Sequence, residues 1–170
     1  MVVSLVVYCI ERQQDEALMR LAIEAAEAAA GNGEIPVGAV IARDGKVLAA
    51  AGNSIESEGD PTMHAEIAAI RKAAKALGTK WLTGCTLYVT VEPCTMCAGA
   101  AVLARLDRIV AGTVSDKSGA CGSVLDILES ERLNHRVGYS VGLLEKECAA
   151  LLSGFFGSLR KNGGPVQERY

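Results

Sequence analysis

Histidine is scarce in this chain, positive charge is not in excess, and no apolar run is long. Only His64 and His135 supply imidazole among 170 residues, which excludes a histidine-rich metal cluster. A net charge of -3 excludes a globally basic nucleic-acid-binding surface and leaves only local patches, at Arg71, Lys72 and Lys75 or at Arg160 and Lys161. The apolar opening M-V-V-S-L-V-V-Y-C-I falls far short of the ~20 residues that a membrane helix needs. It also lacks the positive start and the small-residue cleavage site of a secretory signal. Neither an internal repeat nor a low-complexity tract occurs. Half the residues are hydrophobic, so the chain has room for one core and none for a second domain. The expected division is an N-terminal extension over 1–12, one catalytic domain over 13–161 and a loose tail over 162–170.

What is present is a constellation. M-H-A-E at 63–66 and E-P-C-T-M-C at 92–97 supply one imidazole, His64, two thiols, Cys94 and Cys97, and one carboxylate, Glu66. Two thiolates and an imidazole leave the fourth position of tetrahedral zinc open to water, which is the catalytic rather than the structural pattern. Taken singly, each part has a plainer meaning: C-x-x-C as a redox pair or half of a structural zinc site, His64 as a core or capping residue, Glu66 as a solvated helix carboxylate. The conjunction H-x-E followed by P-C-x-x-C is the signature of zinc deaminases of nucleobases. The other cysteines, Cys9, Cys85, Cys121 and Cys148, are scattered among apolar or small residues, which favours a reducing cytoplasm over a disulfide framework.

Periodicity and turn residues predict alternating helices and strands. A helix over 13–30 stops at Gly31-Asn32-Gly33. A hairpin follows, with strands 37–42 and 46–51 about Asp44-Gly45. Next come a helix from near Thr62 to Leu77, a strand over 86–91, and a second helix with Pro93 in its first turn that runs to about Arg105. A strand over 108–111, a glycine-containing loop over 112–123, a short strand at 139–141 and a helix from about 144 to 160 complete the pattern. The fold expected is α/β: a three-layer α/β/α sandwich about a mixed five-stranded sheet. Both metal motifs fall at helix starts. His64 and Glu66, roughly 200° apart around a helix axis, can then share only a site that lies beyond the helix end. Two positive helix ends facing one point favour the thiolates of Cys94 and Cys97.

Several further segments carry a family resemblance: E-I-P-V-G-A-V at 34–40, D-P-T-M-H-A-E-I at 60–67 and T-L-Y-V-T-V-E-P-C-T-M-C-A-G-A at 86–100. K-S-G-A-C-G-S at 117–123, N-H-R-V at 134–137 and E-C-A-A-L-L-S-G-F-F at 147–156 extend it. From Glu34 to about Arg160 the chain resembles the bacterial tRNA adenosine deaminases, members of the cytidine deaminase-like superfamily that convert the wobble adenosine of an anticodon to inosine. The resemblance implies one Zn2+ per subunit on His64, Cys94 and Cys97, with Glu66 as general acid/base. It also implies that Asn53 contacts the flipped nucleoside, and that Lys117, Phe156 and Arg160 lie near the anticodon stem-loop, Phe156 stacking on a splayed base. From the residues alone, Asn53 reads as a turn residue, Phe156 as core, and the two cations as solvated surface.

The chain departs from the family pattern where Asp, one residue, then Lys is usual: Ser115 takes the Asp position and Asp116 directly precedes Lys117. The basic tail is also sparse, which implies fewer phosphate contacts. The small residues Ala98, Gly99, Ala100 and Ala101 would let another helix approach, and the family commonly dimerises there, so a homodimer through the 94–105 helix is expected. The same residues also suit packing on the chain's own sheet. Three functions stand open: wobble adenosine deaminase, deaminase of a free nucleobase or nucleoside, and catalytically silent zinc-binding partner subunit. Intact Glu66 speaks against the last.

Overall fold

The computed structural model describes residues 2–161, with side chains from 11 to 160. The tail 162–170 lies outside the described residues, as do the side chains of 1–10. In chain order the elements are α1 (Val2–Gly31), β1 (Gly38–Arg43), β2 (Lys46–Gly52), α2 (Ile55–Glu58), α3 (Ala65–Leu77), β3 (Cys85–Val91), α4 (Thr95–Leu103), β4 (Arg108–Thr113), β5 (Gly138–Val141) and α5 (Glu145–Lys161).

The sheet order is β2-β1-β3-β4-β5. β1 pairs antiparallel with both β2 and β3, while β3, β4 and β5 run parallel, so the sheet is mixed as the crossovers require. Strand alternation then divides the core. Ala39, Ile41, Leu87, Val89, Ile109 and Ala111 face α3 and α4, where they meet Ala65, Ala69, Ala73, Ala98, Ala101 and Val102. Val40, Ala42, Tyr88 and Val110 face α1 and α5, against Leu18, Met19, Ala22 and Cys148. These are the two outer layers of the expected three-layer α/β/α sandwich. Asp44 and Gly45 both take positive φ, 49° and 74°, the conformation that a two-residue hairpin needs.

Three expectations need correction. α1 begins at Val2 rather than near residue 13, so no break in secondary structure marks the 12/13 boundary. α3 begins at Ala65 rather than near Thr62. Residues 60–63 are held in a turn by Asp60, whose Oδ1 accepts from the Thr62 N–H at 2.8 Å and from its hydroxyl at 2.7 Å. The second motif helix begins at Thr95 rather than at Pro93, because the Pro93 carbonyl is turned outward to accept the Ala120 N–H at 2.9 Å. That helix ends at Leu103, and Arg105, with φ 55°, turns the chain toward β4.

Candidate metal centre and active site

The late starts of α3 and α4 place His64 and Cys94 at the N-cap positions, in extended backbone with ψ of 153° and 174°. Neither side chain caps its own helix, and both turn toward a common point. Asn53 makes this possible at α3: its Oδ1 accepts the Ala65 N–H at 2.9 Å and does the capping from twelve residues upstream. One turn into α4, Cys97 is fully buried and faces the same point.

His64, Cys94 and Cys97 offer three ligand atoms that all lie within 4.8 Å of one another. His64 Nδ1 stands 3.7 Å from Cys94 Sγ and 3.6 Å from Cys97 Sγ. Tetrahedral zinc, with Zn–N and Zn–S bonds of roughly 2.0–2.3 Å, sets nitrogen and sulfur about 3.6 Å apart, so the set fits that ion. Glu66, in the first turn of α3, is 3% exposed, and its Oε2 has no hydrogen-bond partner among the described residues. A buried orphan oxygen is costly unless something that the chain does not itself supply meets it. A metal ion held by His64, Cys94 and Cys97 would answer that need through whatever further ligand it carried.

Electrostatics agree with the geometry. The Cys94 thiol is pulled down to about 4, chiefly by the hydrogen bond from Cys97 and then by that from His64, so it is a thiolate at neutral pH. Cys97, giving its proton toward Cys94 and buried, is pushed up. His64 is raised by its hydrogen bond to Cys94, against burial. Burial raises Glu66, and the hydrogen bond from its own backbone N–H, followed by the attraction of His64, offsets this only in part.

The other sequence-derived residues are more dispersed. Asn53 is buried at the foot of α3, beside the metal group, and nothing among the described residues accepts from its Nδ2. Lys117 is exposed in the loop after β4, a loop that touches the Cys94 turn through a bridge between Gly119 and Cys94. Phe156 is half-buried on α5, edge-on to Phe155 with ring centroids 5.6 Å apart, and Arg160 is exposed. α5 belongs to the layer opposite α3 and α4, and no interaction among the described residues joins Phe156 or Arg160 to the metal group. His135, within N-H-R-V, donates from Nε2 to the Leu106 carbonyl at 2.7 Å and ties the chain before β5 to the connection between α4 and β4.

Two buried carboxylates escaped sequence reasoning. Glu34 accepts the N–H groups of Glu56 (3.1 Å) and Ser57 (2.8 Å) and the Ser57 hydroxyl (2.8 Å), fixing the unexpected α2 between Asn53 and His64. Glu92 accepts three backbone N–H groups from the loop after β4. The one available signal was an acidic residue closing the apolar run L-Y-V-T-V.

The sequence profile of the MafB19-like deaminases matches residues 13–160. The tRNA-specific adenosine deaminase of Bacillus subtilis (strain 168) is 47% identical over 148 residues, spanning 87% of this chain and 92% of that protein. A solved structure from work on A-to-I editing by tRNA:A34 deaminases superposes with a TM-score of 0.78 at 43% identity, over 80% of this chain and 99% of its own. A guanine deaminase from Bacillus subtilis superposes less closely, with a TM-score of 0.58 at 32% identity, over 91% of this chain and 98% of its own. With the zinc-type ligand group and the mixed sheet already in place, these likenesses make the chain a member of the MafB19-like deaminase family, on the branch of the tRNA-specific adenosine deaminases.

Proposed function

We propose that the protein hydrolyses the wobble adenosine of a tRNA anticodon to inosine and releases ammonia. One zinc ion per subunit would be held by His64 Nδ1, Cys94 Sγ and Cys97 Sγ. When bound, zinc lowers the pKa of a coordinated water toward neutrality and so supplies the nucleophile. Glu66 moves the protons. Its Oε2 takes one from the attacking water, delivers it to the purine ring nitrogen, and then carries another to the departing amine. The observation that carries this reading is that buried Oε2, unpartnered beside a ligand set of tetrahedral spacing. Burial also raises Glu66 toward the operating pH, as a group that must both accept and give a proton requires.

The substrate assignment draws on the relatives and on the chain's own surface. Asn53 Nδ2 is available to a nucleoside entering beside Ala65. Lys117 and Arg160 are exposed cations for phosphates, and Phe156 offers a ring for stacking. Leu103, 74% exposed on α4, and the open side of Gly99 support a homodimer through the 94–105 helix. The described cysteines are all free, which supports a reducing cytoplasm, and no helix among the described residues is long and apolar enough to cross a membrane. The likeness to a guanine deaminase favours one alternative, a free-base substrate. The test is inosine formation in an adenosine-bearing anticodon stem-loop, run beside ammonia release from adenosine, adenine, guanine and cytosine. Inosine in the RNA alone establishes the proposed activity, and ammonia from a free base alone moves the enzyme to the other substrate class.

A further inference from the structure

The loop between β4 and β5 folds back onto the metal turn. The Ala120 N–H donates to the Pro93 carbonyl at 2.9 Å, and Gly119 pairs with Cys94 itself. At the centre of this contact lies Glu92, 3% exposed. Its Oε2 accepts the Ser115 N–H at 3.0 Å, and its Oε1 accepts those of Cys121 at 2.8 Å and Ser123 at 3.2 Å. The loop is also tied across itself: the Ser123 hydroxyl donates to the Ser115 carbonyl at 3.1 Å, and the hydroxyls of Ser115 and Ser118 lie 2.9 Å apart. Gly119 is what lets the carboxylate in, because a Cβ there would strike Glu92 and the Ser123 hydroxyl. Lys117 stands exposed at the tip, between the two tied serines.

We propose that Glu92 is a positioning residue for the RNA substrate, clamping the loop that presents Lys117 against the turn that presents Cys94. A carboxylate suits the task, since it only accepts and two oxygens can take three N–H donors. Glutamine in its place would turn an NH2 group toward at least one of those donors. Every hydrogen bond to the Glu92 side chain among the described residues comes from the loop and none from a metal-ligand side chain. Releasing the clamp therefore affects how the substrate is held rather than whether zinc is held. The departure at Ser115 fits this arrangement, since its backbone feeds the clamp and its hydroxyl closes the loop.

The inference rests on the RNA reading, and its test separates the two. Glu92→Gln and Gly119→Ala break the clamp from opposite sides. Each is expected to raise KM for an anticodon stem-loop at least tenfold, with kcat within about twofold and zinc stoichiometry unchanged. Each should also speed tryptic cleavage after Lys117 severalfold. Glu92→Asp, which keeps both oxygens, should recover part of the KM. Unchanged KM in both variants overturns the proposal, whether or not cleavage is faster, and so does a fall in kcat that tracks loss of zinc. A wild type inert on the stem-loop overturns the RNA role along with the activity proposed above. Faster cleavage after Lys117 in the variants would then show that the clamp itself was read correctly.

Discussion

Glu66 and Glu92 are each 3% exposed, yet their carboxyl pKa values are shifted in opposite directions. Among the described residues nothing meets Oε2 of Glu66, and burial outweighs the hydrogen bonds from its own backbone N–H and from Cys97 and raises its pKa. For Glu92, burial is again the largest single influence and pushes upward, but hydrogen bonds from Ser123, Ser115 and Cys121 together outweigh it and hold the carboxyl low. Glu34 behaves as Glu92 does: the donors of Ser57 and Glu56 outweigh burial. Depth does not decide whether a buried carboxylate is chemical or structural; the supply of N–H donors does. A carboxyl with too few donors to offset burial keeps a proton within reach and can trade it. One surrounded by donors has become part of the scaffold.

The largest effect should come from removing the chemical carboxylate. Glu66→Gln keeps the shape and loses the proton carrier, so kcat on the stem-loop should fall by about 10²–10⁴ with zinc retained. Its thermal midpoint should stay at or above the wild-type value, because a desolvated charge has gone. A drop in the midpoint with activity intact would place Glu66 with the structural pair and end the contrast.

Glu34→Ala should do the reverse. It leaves two backbone donors and a hydroxyl at α2 without an acceptor, which costs about 2–3 kcal/mol in urea denaturation. Turnover by the folded fraction should remain within severalfold of wild type. A smaller effect should appear in acid. The folded-state pKa values of Glu34 and Glu92 lie below 4.5, so the stability they contribute is complete above about pH 4.5 and is lost as pH falls through the lowered values. Urea midpoints measured from pH 6 to 3 should therefore fall less steeply in Glu34→Gln than in wild type; parallel curves would show that the carboxylate is not clamped. Asn53→Ala should have the least effect on stability, about 1 kcal/mol for a lost cap, and Asn53→Asp should recover it. Recovery of stability without recovery of turnover would assign Nδ2 to the substrate.

Much of this was legible in the chain. Asp44-Gly45 marked its hairpin, the apolar runs at 86–91 and 108–111 became β3 and β4, and H-x-E with P-C-x-x-C pointed to the residues of the His64, Cys94 and Cys97 group. What stayed hidden depended on partners distant in sequence. The start of α3 shifts to Ala65 because a carbonyl arrives from Asn53, and Glu92 has no visible task until residues 115–123 fold back over it. The four-residue α2 exists because Glu34 reaches across from before β1. Local propensity carries none of this. Phe156 and Arg160 show the opposite limit: resemblance singled them out, yet on α5 they sit in the layer across the sheet from the metal helices.

The two glycines under α1 have a consequence of their own. Gly38 and Gly52 face each other across the hairpin, and a Cβ on either would run into α1: at Gly38 into the Ala22 carbonyl, at Gly52 to within 2.6 Å of the Ala25 carbonyl. A hairpin that slipped by one residue would bring Ala39 or Ala51 under the helix and find no space for the methyl. The glycine pair is thus a steric key that α1 accepts in a single register. Because β1 also pairs with β3, Ala39 opposite Val89, the key settles far more than its own hairpin: it sets the point along the sheet at which β3 ends and hands the chain over to Cys94.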